Sequence, residues 1–285
     1  EKYEQVENSI IKKFRKGIWR KFAHGVNDYD LIQEGDKIGV CISGGKDSML
    51  LAKCMQELQK HWIRNFELEF IVMDPGYNPA NRAKIEENAK ILNIPIHIFE
   101  TRIFDAVKKI ENNPCYLCAR MRRGYLYKFA KSLGCNKIAL GHHFDDVIET
   151  ILMGMIYGAQ IQTMMPKVHS ANYPGMELIR PMYYIKEADV KAWAEYNGLS
   201  FIDCACRFTE MAAQENKEHT SKRAEMKALV NHFRKINPYI EMNIFKSVHN
   251  VNLKTIIGYH DGDKVYNSLD DYDTNGLNAR GGEEA

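Results

Sequence analysis

Short apolar runs alternate with amphipathic stretches along most of the chain. The first stretch, "VENSIIKKFRKGIWRKFAHGV", repeats Ile10, Phe14, Ile18 and Phe22 at steps of four, with Lys12, Lys13, Lys16 and Lys21 largely around the other side. That spacing predicts a basic amphipathic helix. "GDKIGVCISGGKDSMLLAKCMQEL" then runs from a buried strand over 37–42 through a glycine turn into a second helix. "LEFIVMDPGYN" reads as a strand ending at Asp74, "NRAKIEENAKILN" as a helix, "IPIHIFET" as a third strand and "RMRRGYLYKFAKSLG" as a helix closed by Gly134. "CNKIALGHHFDD" reads as a fourth strand leading into the helix "VIETILMGMIYG". Strand and helix alternating at these lengths predict an α/β fold with a doubly wound, mostly parallel sheet. Ligands of such sheets sit at the carboxyl ends of the strands.

Beyond Gly158 the pattern loosens. "MMPKVHSANYPGMELIRPMYYI" reads as a loop and a short strand, "KEADVKAWAEYNG" as a helix stopped by Gly198, "LSFIDCACRF" as an extended piece and "TSKRAEMKALVNHFRKI" as a helix. The organisation expected is a basic helical segment over 1–34, the sheet domain over 35–200, a cysteine-containing helical extension over 201–258 and a tail over 259–285. The tail is polar and glycine-rich, which predicts partial disorder.

Composition narrows the class of protein. With 285 residues, 45% hydrophobic and 27% charged, the chain can bury a large core. No apolar run approaches the roughly 20 residues of a membrane helix, and "EKYEQVENSIIKKF" lacks a signal-peptide core. A cytoplasmic protein without a membrane partner is expected. The formal charge of +2 hides an asymmetry: seven Asp/Glu and two Lys/Arg fall within 259–285, leaving the preceding body with 37 basic and 30 acidic residues. Such a body suits a polyanionic partner, although a solvated surface with an acidic tail has the same composition. Seven cysteines, an odd number, read as thiols, metal ligands or catalytic groups rather than as a disulfide framework.

Three motifs carry chemistry. "SGGKDS", Ser43 to Ser48, joins a strand to a helix, where glycines turn backbone amides toward an anion and the helix N-terminus adds partial positive charge. It lacks both the G-x-x-x-x-G-K-S/T spacing and the G-x-G-x-x-G fingerprint, so it is a phosphate cradle of another kind. "GHHFDD", Gly141 to Asp146, sets Asp145 and Asp146 at a strand end, where two carboxylates suit magnesium or an N-terminal helix cap. "PCYLCARMRRG" puts Cys115 and Cys118 ahead of Arg120, Arg122 and Arg123. A CxxC pair serves as a redox couple, half a zinc site or part of an iron–sulfur cluster, and the arginine forks match phosphate oxygens. Cys204 and Cys206 in "FIDCACRF" are available as further ligands. Cys41, Cys54 and Cys135 lie within or beside predicted strands and helices and read as packing residues.

"SGGKDS" resembles the pyrophosphate loop of the N-type ATP pyrophosphatases, which split ATP into AMP and pyrophosphate while adenylating a carbonyl oxygen. With "PCYLCARMRRG", "ALGHHFDDVIET" and "LIRPMYYI" in order, the chain resembles the tRNA 2-thiocytidine synthetase (TtcA-type) family over roughly residues 35–251. That resemblance implies that Ser43, Gly44, Gly45, Lys46, Asp47 and Ser48 hold the ATP phosphates, with Asp47 a magnesium ligand. It implies that Asp74 sits near the adenosine and that Gly141, His142, Asp145 and Asp146 line the nucleotide and reaction pocket. It further implies a 4Fe-4S cluster held by Cys115, Cys118 and one more cysteine, one iron being left open to carry sulfur. The family pattern has a single proline-flanked cysteine where this chain has C-x-C. Alignment of "FID" favours Cys204, while Cys206 stays open, and both together would close the site as structural zinc or cluster.

The function implied is a tRNA sulfurtransferase. ATP adenylates the C2 oxygen of a cytidine, at position 32 by resemblance, and sulfur from the cluster or a cysteine persulfide displaces AMP. Cys115, Cys118, Asp47, Asp146 and Arg122 carry the reaction in this reading. The N-terminal helix, the arginines and Lys167 face the RNA. A cysteine desulfurase or inorganic sulfide supplies the sulfur, and family members are often homodimers. Two other readings are an ATP-dependent thiolating or amidating enzyme with another acceptor, and a nucleotide-binding module with a structural four-cysteine zinc site. Bound iron with absorbance near 400 nm, against stoichiometric zinc in a colourless protein, separates the first from the last.

Overall fold

A computed structural model of the chain describes residues 1–107, 114–202 and 222–270. The chain opens with α1 (Lys2–Ile11), a π turn over Arg15–Trp19 and α2 (Arg20–Asp28). The steps of four noted above explain the turn. Four residues exceed the 3.6 of one α-helical turn, so the apolar stripe would rotate away from the core. Hydrogen bonds five residues apart, Phe14 N–H to Ser9 O at 2.9 Å and Trp19 N–H to Phe14 O at 3.3 Å, take up the excess. Ile10, Ile18 and Phe22 are all 0% exposed. At about 1.5–3 kcal/mol per buried side chain, they bind this segment to the main core.

Next come β1 (Lys37–Ile42), α3 (Lys46–His61), β2 (Glu67–Asp74), α4 (Pro79–Ile91), β3 (Ile96–Glu100), the short α5 (Ile103–Val107) and α6 (Pro114–Ser132). β4 (Lys137–Ala139), α7 (Phe144–Gly158), β5 (Lys167–His169), β6 (Glu177–Ile179) and α8 (Glu187–Tyr196) complete the sheet layer. The sheet has six strands in the order β3-β2-β1-β4-β6-β5, all neighbours parallel except β5 against β6. This is the mostly parallel α/β sheet expected from the alternation of elements.

Both faces are covered, which is why β1 reads as a continuous apolar run. Val40 and Ile42 join the core under α3 and the N-terminal helices, while Cys41 joins Ile138, Tyr127 and Ala130 on the opposite face. The chain leaves β1 toward β2 and β3, then returns to place β4 on the other side of β1. The loops after β1 and β4 therefore part at the carboxyl edge and open a crevice.

α9 (Lys222–Arg234) and α10 (Ile240–Ser247) pack against α7. The stretch expected as a polar tail begins with regular structure. β7 (Gly258–Asp261) and β8 (Lys264–Asn267) form an antiparallel hairpin. Tyr259 stacks on its cross-strand partner Tyr266 with centroids 4.6 Å apart, and Gly262 takes φ +59° in the connection. The Asp-Gly pair in "YHDGDKVY" is the sequence signal for that turn. Among the described residues no helix is long and apolar enough to cross a membrane.

Candidate active site

The crevice is built first from the glycine turn. Gly44 has φ +87°, a left-handed conformation that side chains rarely adopt. Ser48 ties the turn to α3: its Oγ accepts the Ser43 N–H at 3.1 Å, lies 3.2 Å from Ser43 Oγ and donates to Gly45 O at 2.9 Å. Across the crevice, a Cβ on Gly141 would stand 3.2 Å from the backbone of Asp47 and from Ser48 N. The loop after β4 thus lies directly on the first turn of α3. A Cβ on Gly44 would meet Ile85 at 2.6 Å and Ile202 at 2.7 Å. The chain therefore passes over the turn two positions before Cys204.

Charge is concentrated at the same place. Lys46 Nζ lies 3.1 Å from Asp47 Oδ2 and 3.4 Å from Glu187 Oε1 at the start of α8. Burial would raise the Glu187 carboxyl, but hydrogen bonding from Lys227 and the charges of Lys227 and Lys46 hold it down at about 2. Asp47 Oδ1 is buried and accepts no hydrogen bond. His143 Nε2 lies 3.7 Å from it.

His143 caps α7, taking the Asp146 N–H at Nδ1 (3.4 Å) while its own N–H donates to Asp146 Oδ2 (2.9 Å). Asp146 Oδ1 also accepts from Arg223 at 2.6 Å. Asp145, one residue earlier and so about 100° around the helix, goes to the scaffold. Its oxygens accept from Glu187 N at 2.7 Å and Arg234 at 2.6 Å. His142 accepts the Arg180 Nε–H at Nδ1 (3.4 Å); burial and the Arg180 charge lower its pKa to about 4, leaving it neutral near pH 7.

Asp74, at the end of β2, is also fully engaged. It accepts from Gly76 N at 2.8 Å, Tyr77 N at 2.7 Å and Arg82 at 2.7 Å. Against the upward push of burial, these donors keep its carboxyl below the usual range.

Glu149, one turn into α7, is 5% exposed, and burial pushes its carboxyl up to about 7 against the partial opposition of Arg223. The unfolded chain releases this proton near pH 4.5, so between about 4.5 and 7 the folded state binds more protons and stability falls as pH rises. Glu149→Gln is expected to be more stable than the parent at pH 8, by up to about 3 kcal/mol, and equal to it below pH 4.5. Denaturant titrations at the two pH values check this.

Cys118 is 7% exposed and packs with Met73, Ile103 and Phe104 beside the carboxyl end of β2. Cys115 lies in the first turn of α6, but its side chain falls outside what the structure describes, as do Cys204 and Cys206 entirely. The structure thus brings the glycine turn, Lys46, Asp47, Gly141, His142, Asp146 and Cys118 to one edge of the sheet. The side chain of Cys115 and all of Cys204 and Cys206, the other cysteines expected at the site, lie outside the described residues. Arg122 is half-buried, and Arg120 and Arg123 are exposed. Cys41, Cys54 and Cys135 are buried, and burial raises all three thiols, Cys41 to about 12 and Cys135 to about 11. Such thiols are inert packing groups.

Sequence reasoning missed Glu187, Arg223 and Arg234, which hold Lys46, Asp146 and Asp145. Nothing in their local sequence marks them. It quoted Arg180 within "LIRPMYYI" without giving it a role.

Comparison with known proteins adds to this geometry. A family model described as a PP-loop domain matches residues 14–207. The tRNA-cytidine(32) 2-sulfurtransferase of Paraburkholderia xenovorans (strain LB400) is 36% identical over 251 residues, 87% of this chain and 72% of that protein. The protein of the same name from Burkholderia multivorans (strain ATCC 17616 / 249) is 35% identical over 251 residues, 87% of this chain and 73% of that one. Among solved structures, the U34-tRNA thiolase NcsA from Methanococcus maripaludis with its 4Fe-4S cluster aligns with a TM-score of 0.63 at 22% identity. The alignment covers 86% of this chain and 84% of that one, and at that identity the likeness is one of fold.

Proposed function

The chain belongs to the PP-loop family and groups with its tRNA-cytidine(32) 2-sulfurtransferases, and from that premise we propose that it is an ATP-dependent sulfurtransferase acting on C2 of cytidine 32 in tRNA. The observation that carries this is the meeting of three features at one sheet edge. The glycine turn with Lys46 and Asp47, the buried Cys118, and Ile202 lying on Gly44 all belong to it. Ile202, against Gly44, stands two positions before Cys204 in the sequence.

The division of labour follows from the chain's own groups. The glycine turn and the N-terminus of α3 bind the ATP phosphates, and Lys46 balances their charge. The cytidine C2 oxygen attacks the α-phosphorus and pyrophosphate leaves; a sulfur nucleophile then adds at C2, and the C–O bond breaks to release AMP. Neutral His142 and the His143–Asp146 cap form the floor of the crevice.

The orphaned Asp47 Oδ1 fits a magnesium ligand. Among the described residues no three His, Cys, Asp or Glu side chains gather to hold a metal, so the cation would draw its other ligands from phosphate and water. Magnesium would there neutralise charge on the departing pyrophosphate. Cys118, a soft ligand in an apolar shell of Met73 and Phe104, fits an iron–sulfur site. A 4Fe-4S cluster held by Cys115, Cys118 and Cys204 or Cys206 would supply a site for inorganic sulfur. Cysteine desulfurase or free sulfide is the source of that sulfur. Exposed Arg120 and Arg123, half-buried Arg122, Lys167 and the basic N-terminal helix form the RNA-facing surface.

Mass spectrometry of tRNA nucleosides from cells lacking the gene tests the proposal. Loss of 2-thiocytidine, restored by the parent chain and not by Cys115→Ala, is expected. Unchanged 2-thiocytidine would redirect the search to another acceptor.

A further inference from the structure

Arg180 is the first residue beyond β6. It stands at the carboxyl edge beside the end of β4, where Leu140 N–H donates to Ile179 O at 3.0 Å. The residue is only 8% exposed, and among the described residues no carboxylate lies within ion-pair distance of it. Its Nε donates to His142 Nδ1 at 3.4 Å and its Nη1 donates to Met165 O, so both partners are neutral. Asp146 acts on it only at longer range and is already paired with Arg223, while Arg123 on α6 adds a second positive charge nearby.

Two of five guanidinium N–H groups are engaged by these bonds. A buried cation without a counter-ion is costly, and the cost is removed when an anion arrives. Phosphate is the anion whose oxygens match an arginine fork. Arg180 lies two strands from the end of β1, a spacing of about 10 Å, so it stands on the far side of the crevice from the glycine turn.

We propose that Arg180 forms a second phosphate-binding subsite on the β4–β6 side of the crevice. Its ligand is a phosphate oxyanion of a reactant, either the α-phosphate of the nucleotide or a backbone phosphate next to the target base. The RNA source rests on the function proposed above; the nucleotide source needs only the PP-loop assignment.

The full-length chain carrying Arg180→Met or Arg180→Lys is titrated with a non-hydrolysable α,β-methylene ATP analogue, and with tRNA over a range of salt concentrations. For Arg180→Met, a nucleotide phosphate predicts an analogue affinity lower by about 10–100-fold with an unchanged salt slope for tRNA. An RNA phosphate predicts that the slope of log K against log salt falls by about 1 with analogue affinity unchanged. Either result supports the subsite, and a folded Arg180→Met that changes neither overturns it. Should that variant not fold, Arg180→Lys decides: it keeps the charge without the fork, so weakening by about threefold or more on one arm supports the subsite and no loss on either overturns it. Both readings are equilibrium affinities, so they stand whether or not 2-thiocytidine proves to be the product.

Discussion

Lys46→Met is expected to lower the rate of 2-thiocytidine formation by about 10²–10³-fold, the usual effect of removing one preorganised donor from developing charge. The ammonium stands at the head of α3 between Asp47 and Glu187, 3.1 and 3.4 Å away. Without phosphates it is shared between two carboxylates; with them it offsets negative charge that grows as pyrophosphate departs. The fold does not depend on it. A partly exposed ion pair contributes about 0–1 kcal/mol, and Glu187 retains Lys227 at 2.6 Å and Lys191 at 3.2 Å. Single-turnover thiolation read by nucleoside mass spectrometry, beside a thermal melt, separates the two effects. A rate within tenfold of the parent would assign Lys46 to the scaffold.

Cys118→Ala is expected to abolish thiolation and to leave adenylation in place. Cys118 lies in a small cluster with Met73, Ile103 and Phe104, while the phosphate-binding groups sit on α3 and the loops after β1 and β4. Loss of one sulfur from that cluster costs about 1–2 kcal/mol, which the core tolerates. The variant should bind ATP and release pyrophosphate in the presence of tRNA, yet yield no 2-thiocytidine and retain less iron than the parent. Product formation above a few per cent of the parent level would remove Cys118 from the sulfur path.

Much of this arrangement was legible in the order of residues. Parallel strands buried on both faces need continuous apolar runs, and "KIGVCI" and "EFIVMD" are such runs. A turn with positive φ at a phosphate site needs glycine, and "SGGKDS" supplies it at Gly44. The "HHFDD" string was legible as a strand end entering a helix. The different fates of its members were not. Asp145 and Asp146 have the same chemistry and adjacent positions, yet Asp145 is bound by Glu187 N and Arg234, and Asp146 by His143 and Arg223. Apart from His143, three positions before Asp146, their partners come from 42 to 89 positions away, beyond the reach of any local pattern. Arg180 was visible only as part of a string; that no carboxylate among the described residues pairs with it is a property of packing.

The sequence by itself determined the class of fold and the phosphate-binding turn, because each depends on local periodicity or on residue types a few positions apart; the link of the CxxC thiols to ATP chemistry came from the family resemblance. Only the tertiary structure decided which carboxylates remain available, that Ile202 covers the glycine turn, and that Arg180 is buried with no carboxylate in ion-pair distance among the described residues. Those outcomes depend on which distant side chains share a space, and burial makes each missing or present partner energetically decisive.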